Sequence, residues 1–272
     1  MEAYLQKYFI YNGELKSTED FNLKGVGTKI YEVIRIIDKI PLFLEEHIER
    51  LEKSLDIVNL KSRYDVEAIN KYIKKLIEAN QGAEGNIKLI MNFNENREDI
   101  YLFYIPHSYP KSELYEEGVA TILYHGEREN PNAKIINSSL RDSVNHELKK
   151  AEAYEAILID NQGRVTEGSR SNIFFVKDEK LITSPIEAVL PGITRQQIIK
   201  LCTANDIKVE EKYINEQEIK ECDALFISGT SPEVLPIKSV NLIKFASSCN
   251  SVVKKVMTLY DNSIEEYISK GK

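Results

Sequence analysis

The chain has 272 residues, and at roughly 150 residues per domain that length favours two domains or one large one. Hydrophobic residues make up 42% and charged residues 29%, with 12 Gly and 8 Pro, which excludes disordered, collagen-like and low-complexity chains. A net charge of −7 argues against a surface specialised for nucleic acid or anionic membrane, so neither is expected as a partner, although a local basic pocket stays open.

Ile48, Leu51, Leu55 and Val58 form one stripe of an amphipathic helix that starts near residue 45. Val66, Ile69, Ile73, Leu76 and Ile77 repeat the pattern, and Gln81-Gly82 is a stop signal. Residues 87–93 and 99–105 are β-branched and aromatic runs joined by the polar turn NENRE, which predicts two strands. The polar stretch HSYPKSELYEEG, with Pro110 and Gly118, reads as a linker. A smaller N-terminal α+β domain of residues 1–117 and a larger C-terminal domain of residues 118–272 are therefore expected. Beyond the linker come a strand over 119–124 and a helix carrying Leu140, Val144, Leu148 and Ala151. Strands over 156–159, 172–176 and 224–228 follow, and a terminal helix uses Val252, Val256, Leu259 and Tyr267. Strands and helices alternate less regularly than in a doubly wound fold, so the class is α+β.

Cys202, Cys222 and Cys249 are odd in number and far apart, with no CxxC, so neither a disulfide framework nor a metal site is encoded and a cytoplasmic location is expected. No apolar stretch reaches the length of a signal peptide or of a span of about 20 residues. The motifs GxGxxG, GxxxxGK[ST] and GxSxG do not occur, which leaves dinucleotide-binding, P-loop and serine-hydrolase readings without support.

Four segments place small or turn-forming residues beside polar ones. After GVGTKIYEVIR, in HIERL, Arg50 stands next to the stripe residue Leu51 at the edge of the helix face, where a surface salt bridge and a binding cation are both open. In NPNAKIIN a turn delivers Lys134 among Ala133, Ile135 and Ile136, with Asn137 three residues on. Desolvation there would lower its pKa toward nucleophilicity, whereas exposure would leave it an ordinary lysine. Glu167 of VTEGSRSNIFFV stands in a turn formed with Gly168 and Ser169, either as a turn acid or as a carboxylate aimed inward. LPGITRQQIIKLC opens a helix after a Pro-Gly turn, and the N–H groups of Ile193 and Thr194 at its start suit an anion. Ser228, Gly229, Thr230 and Ser231 of FISGTSPE are candidates to close on the same anion.

YE(V)xR with HxxRL, a Lys with Asn three residues later, YEAILID, EGSxSN, LPGITR and a late SGT follow one another in an order that resembles the class IV aminotransferases. These are the pyridoxal-phosphate family of branched-chain and D-amino acid aminotransferases and aminodeoxychorismate lyase, and the resemblance spans nearly the whole chain. It implies a two-domain fold with pyridoxal 5'-phosphate between the domains. It also implies that Lys134 is the Schiff-base lysine and proton carrier, and that Glu167 bonds the pyridine nitrogen. The phosphate would be held by Arg50, the N–H groups of Ile193 and Thr194, and Thr230. Tyr31 resembles the aromatic residue beside cofactor and substrate, and Arg35 matches the Arg of a branched-chain "EGIR", with Val33 in place of the Gly. Gly229, Thr230 and Ser231 would offer donors to a substrate carboxylate. Arg170, at a position commonly small in the family, is a competing candidate for that carboxylate.

Two further departures bear on the substrate. Where D-amino acid enzymes carry an Arg at the end of the strand over 87–93, this chain has Asn92, Phe93 and Asn94, and the nearest Arg is Arg97. The Tyr that often follows the post-lysine Asn is Ser138. The implied activity is transfer of an amino group between a branched-chain-like or broad range of amino acids and a 2-oxo acid, in a homodimer. A D-amino acid aminotransferase is the first alternative and aminodeoxychorismate lyase the second, with a non-catalytic cofactor-binding relative outside the enzymes.

Overall fold

A computed structural model of the chain describes residues 6–23, 27–94, 97–107, 109–136 and 138–271, without the side chains of Ser138 and Ser139. Gly25, Val26, Glu95, Asn96, Ser108 and Asn137 of the motifs above lie outside the described residues. Two compact units result. One comprises the described residues up to 107, with Ala133–Ile136 and those from Glu265 on; the other comprises Tyr109–Asn132 and those from 138 to Ile264.

The first unit contains β1 (Tyr8–Tyr11), β2 (Glu14–Ser17), β3 (Thr28–Ile37), β4 (Ile40–Pro41), α1 (Leu44–Ile57), α2 (Val66–Ala79), β5 (Gly85–Asn94) and β6 (Arg97–Ile105). The strands form one antiparallel sheet in the order β2-β1-β6-β5-β3-β4. Alternation sends Ile30, Ile34 and Ile36, with Ile87, Leu89 and Met91, to the face covered by the apolar stripes of α1 and α2. Tyr31, Ile90, Tyr101 and Phe103 pack with Phe9 on the other face. Because β5 is buried on both faces, it reads as a nearly continuous apolar run.

Ala133–Ile136 adds to this sheet although it is remote in sequence. Tyr31 N donates to Lys134 O at 3.0 Å and Ile136 N to Lys29 O at 3.0 Å, with Ile30 bridging Ile135. The segment lies along the side of β3 that β4 covers farther on, at Ile36 and Ile37.

The second unit contains α3 (Ser112–Glu117), β7 (Val119–His125), α4 (Ser138–Ala151), β8 (Glu155–Ile159), β9 (Val165–Gly168), β10 (Asn172–Lys177) and β11 (Lys180–Thr183). It continues with α5 (Ile193–Ala204), β12 (Val209–Glu211), β13 (Ala224–Gly229), β14 (Glu233–Val240), β15 (Ile243–Lys244) and α6 (Ser251–Gly271), whose last turns count with the first unit. Its sheet runs β12-β11-β10-β13-β14-β7-β8-β9 with β15 on β14, and mixes parallel and antiparallel pairs. Ile157, Ile173, Phe175, Leu225, Ile227 and Leu235 lie at its core.

The stretch read as a linker is partly helical. Leu114 and Tyr115 of α3 pack on the second core, Tyr115 Oη donates to Pro232 O at 3.2 Å, and the residues from Tyr109 on count with the second unit. Among the described residues no helix is long and apolar enough to cross a membrane.

Candidate active site

In the first unit Lys134 is held at both ends. Its N–H donates to Ser54 Oγ at 3.3 Å, and that hydroxyl donates to Arg50 O at 2.8 Å, one turn back on α1. Its Nζ stands 4.9 Å from the centroid of the Tyr31 ring. Lys88 of β5, which the sequence reading missed, brings a second ammonium to 5.1 Å from the same centroid. Both are within cation–π range. Lys88 is paired with Val33 across the sheet, so strand alternation puts it on the face of Tyr31 and Arg35. Arg35 is half-buried.

The neighbouring residue Glu32 points to the helix face. Arg50 Nε donates to its Oε1 at 2.8 Å, Arg50 Nη2 to Oε2 at 2.5 Å, and His47 Nδ1 lies 2.7 Å from Oε2. Glu32 is 1% and Arg50 5% exposed, so Arg50 is no surface salt bridge. Burial alone would raise the Glu32 carboxyl, but the Arg50 guanidinium and the His47 hydrogen bond override it and hold the carboxyl far below the usual range. Burial also lowers the His47 pKa, against the pull of Glu32 and with help from Arg50 and Lys134. His47 is accordingly a neutral donor at pH 7.

In the second unit Glu167, at 2% exposure, is an inward carboxylate rather than a turn acid. Leu190 N donates to its Oε2 at 3.2 Å and Asn172 Nδ2 at 3.4 Å, while Arg128 Nε lies 2.9 Å from Oε1. Asn172 also donates to Leu190 O at 2.9 Å, and a Cβ at Gly192 would meet its Oδ1 at 2.1 Å. The Leu190–Gly192 turn therefore seats directly on Asn172. Opposite Asn172 across the sheet stands Ser228, just before Gly229, whose added Cβ would lie 3.7 Å from Arg170 O. Glu167, the LPG turn and the SGT turn are thus gathered around Asn172, a residue the sequence reading did not single out.

Helix α5 starts at Ile193 after the N-cap Gly192, without a side-chain cap and without an acidic residue in its first turn. Ile193 and Thr194 are buried there. An uncapped start presents backbone donors and the positive end of the helix dipole, as an anion requires. Arg195 fixes that start: it is buried and donates from Nη2 to Ser184 O at 2.9 Å and Glu211 Oε2 at 2.6 Å. Glu155, also unforeseen, holds the turn after Glu167 by accepting from Ser169 Oγ at 2.6 Å, Ser171 Oγ at 2.9 Å and Arg170 N at 3.2 Å. Arg170 itself is exposed and its guanidinium contacts Asn145 of α4. Thr230 and Ser231 are half-exposed in the turn between β13 and β14. Arg97 is exposed and paired with Asp99 at 2.9 Å.

The profile of the family described as amino-transferase class IV matches residues 29–240. The D-alanine aminotransferase of Bacillus licheniformis is 31% identical over 251 residues, covering 88% of this chain and 88% of its own. The crystal structure of the Escherichia coli branched-chain amino acid aminotransferase has a TM-score of 0.87 at 25% identity and covers 96% of this chain and 95% of its own. The T.th. branched-chain amino acid aminotransferase, complexed with N-(5'-phosphopyridoxyl)-L-glutamate, shares the fold with a TM-score of 0.87 at 20% identity, over 97% of this chain and 96% of its own. The chain belongs to the class IV aminotransferases. It is an enzyme of amino-group transfer.

Proposed function

We propose that the enzyme uses pyridoxal 5'-phosphate to move an amino group between a branched-chain-like or broad range of α-amino acids and a 2-oxo acid, as a homodimer in the cytoplasm. The observation that carries this reading is the Ser54 tie: one hydroxyl couples the Lys134 backbone to the turn of α1 that carries Arg50. A lysine and a phosphate cation fixed to a common element support a cofactor with an aldehyde at one point and a phosphate at another. Each unit carries groups of the kind such a cofactor needs: the second a buried carboxylate at Glu167 and an uncapped buried helix start at Ile193 and Thr194, the first an ammonium over Tyr31.

When bound, pyridoxal phosphate supplies an aldehyde that condenses with amines and a ring that takes up the electrons of a breaking Cα–H bond. Lys134 Nζ would be the attachment point for the aldehyde and would be placed to carry the substrate Cα proton. Glu167 would face the ring nitrogen and favour its protonated form. Arg50, Thr230 and the N–H groups of Ile193 and Thr194 would be the groups that hold the phosphate. Tyr31 and Arg35 would face the substrate, and its carboxylate would be held by Arg170 or, in its place, by the Gly229–Ser231 turn.

Borohydride reduction followed by peptide mass spectrometry tests the assignment: the pyridoxyl group should be found on Lys134, and its recovery on another lysine refutes it. A donor screen with both enantiomers of Ala, Leu, Ile, Val, Glu and Asp separates the branched-chain-like reading from the D-amino acid reading, which the D-alanine aminotransferase relative favours. Light scattering at micromolar concentration checks the dimer.

A further inference from the structure

Arg128 lies in GEREN, outside every motif above, yet it reaches the most buried carboxylate of the second unit's site. Its Nε stands 2.9 Å from Glu167 Oε1 as an ion pair rather than an aligned hydrogen bond, and its Nη2 donates to Ser169 O at 2.7 Å. The guanidinium therefore holds both the Glu167 side chain and the main chain two residues on. Leu190 N and Asn172 Nδ2 approach the other oxygen at 3.2 and 3.4 Å, both long for donors to a carboxylate. A buried carboxylate needs a countercharge, and a planar fork that also grips the turn fixes the direction in which the carboxylate points.

We propose that Arg128 is a positioning residue that holds the Glu167 carboxylate against the nitrogen of the cofactor ring. The proposal rests on the reading of Glu167 as the partner of that nitrogen. An Arg with only a packing role would leave the nitrogen's environment untouched. One that aims Glu167 controls it.

The test uses purified enzyme loaded with 15N-pyridoxal phosphate, with the cofactor dissociation constant and the ring 15N resonance as readouts. Arg128→Met should weaken cofactor binding at least tenfold and move the resonance toward the unprotonated position. Arg128→Lys, which keeps the charge, should recover most of both. Glu167→Gln should move the resonance at least as far, and adding Arg128→Met to it should change affinity less than threefold, since the two residues act as one unit. If Arg128→Met does not fold, Arg128→Gln carries the same test. Wild-type affinity and resonance in the Arg128 variants, with Glu167→Gln displaced, overturns the role of Arg128 alone. An undisplaced resonance in Glu167→Gln overturns the reading of Glu167 and the proposal together.

Discussion

Glu32 receives two nitrogens of Arg50, at 2.8 and 2.5 Å, in a site closed to water. This pairing ties β3 to α1 and fixes the plane of the guanidinium, so Arg50 is oriented before any anion arrives. Arg50→Ala should raise the cofactor dissociation constant by one to two orders of magnitude, the equivalent of a charge-assisted contact worth about 1.5–3 kcal/mol. It should also destabilise the cofactor-free protein by about 3–5 kcal/mol, because Glu32 is left as a buried charge without its cation. Cofactor titration and urea unfolding of the apo-protein measure the two separately. A loss of affinity with no loss of stability would mean that Glu32 relaxes into water.

His47 gives the same cluster a pH dependence. Burial lowers its pKa in the folded state from the usual 6.5, so the unfolded chain binds a proton that the folded chain refuses. Stability therefore falls as pH drops below about 6.5, at up to about 1.4 kcal/mol per pH unit for one proton. Glu32 adds a second loss lower down. Its folded pKa lies far below the usual 4.5, so the stability it contributes is present above that value and lost as the pH falls through the acid range. His47→Asn should flatten the loss between pH 6.5 and 5 and leave the steeper loss below 4.5. Urea midpoints at pH 7, 6, 5 and 4 decide it, and an unchanged slope would assign the upper titration to another group.

Helices α1 and α2 were legible because each buries a face whose period the sequence carries, and strands β5 and β6 because burial on both faces leaves a largely apolar, β-branched and aromatic run. Strand β14 was not, since Pro236, which has no N–H for the ladder, sits within it opposite Phe226 and interrupts the pattern. Helix α3 was hidden by its polar composition, and only its two contacts with the second core show why it forms. Lys134, Glu167 and Arg50 stand out in the sequence through their motifs. Their partners do not, because Glu32 with His47 and Glu167 with Arg128 are joined across distances at which the chain carries no periodic signal. Glu32 and His47 stood inside quoted motifs, and an acid within an apolar strand followed by His and Arg on one helix was the available clue.

The start of α1 depends on a residue far along the chain. Phe43 precedes it in the left-handed region at φ 52° with no side-chain cap, and Leu44 N donates instead to Tyr267 Oη at 3.2 Å. That hydroxyl donates in turn to Glu45 Oε2 at 2.7 Å, and the Tyr267 and Phe43 rings pack with centroids 5.0 Å apart. Tyr267→Phe keeps the ring contact and removes the cap, so it should cost about 1–2 kcal/mol in urea unfolding. Tyr267→Ala should cost more. Equal effects of the two would assign the role to the ring.

The substrate carboxylate is the remaining charge to account for, because the strand-end position of β5 offers Asn92 and Asn94 instead of an Arg, and Arg97 is engaged by Asp99. Arg170 carries a full charge three residues beyond Glu167, on a turn that Glu155 fixes through three donors. Its contact with Asn145 is exposed, so a carboxylate can replace it at little cost. Arg170→Ala should raise the Michaelis constant of the amino donor more than tenfold while leaving cofactor affinity and the visible band of the bound cofactor unchanged. Arg170→Lys should recover only part, because one ammonium does not reproduce a bidentate fork. Wild-type constants for every active donor in Arg170→Ala would instead assign the carboxylate to the N–H groups of the Gly229–Ser231 turn, and would favour the branched-chain-like reading over the D-amino acid one.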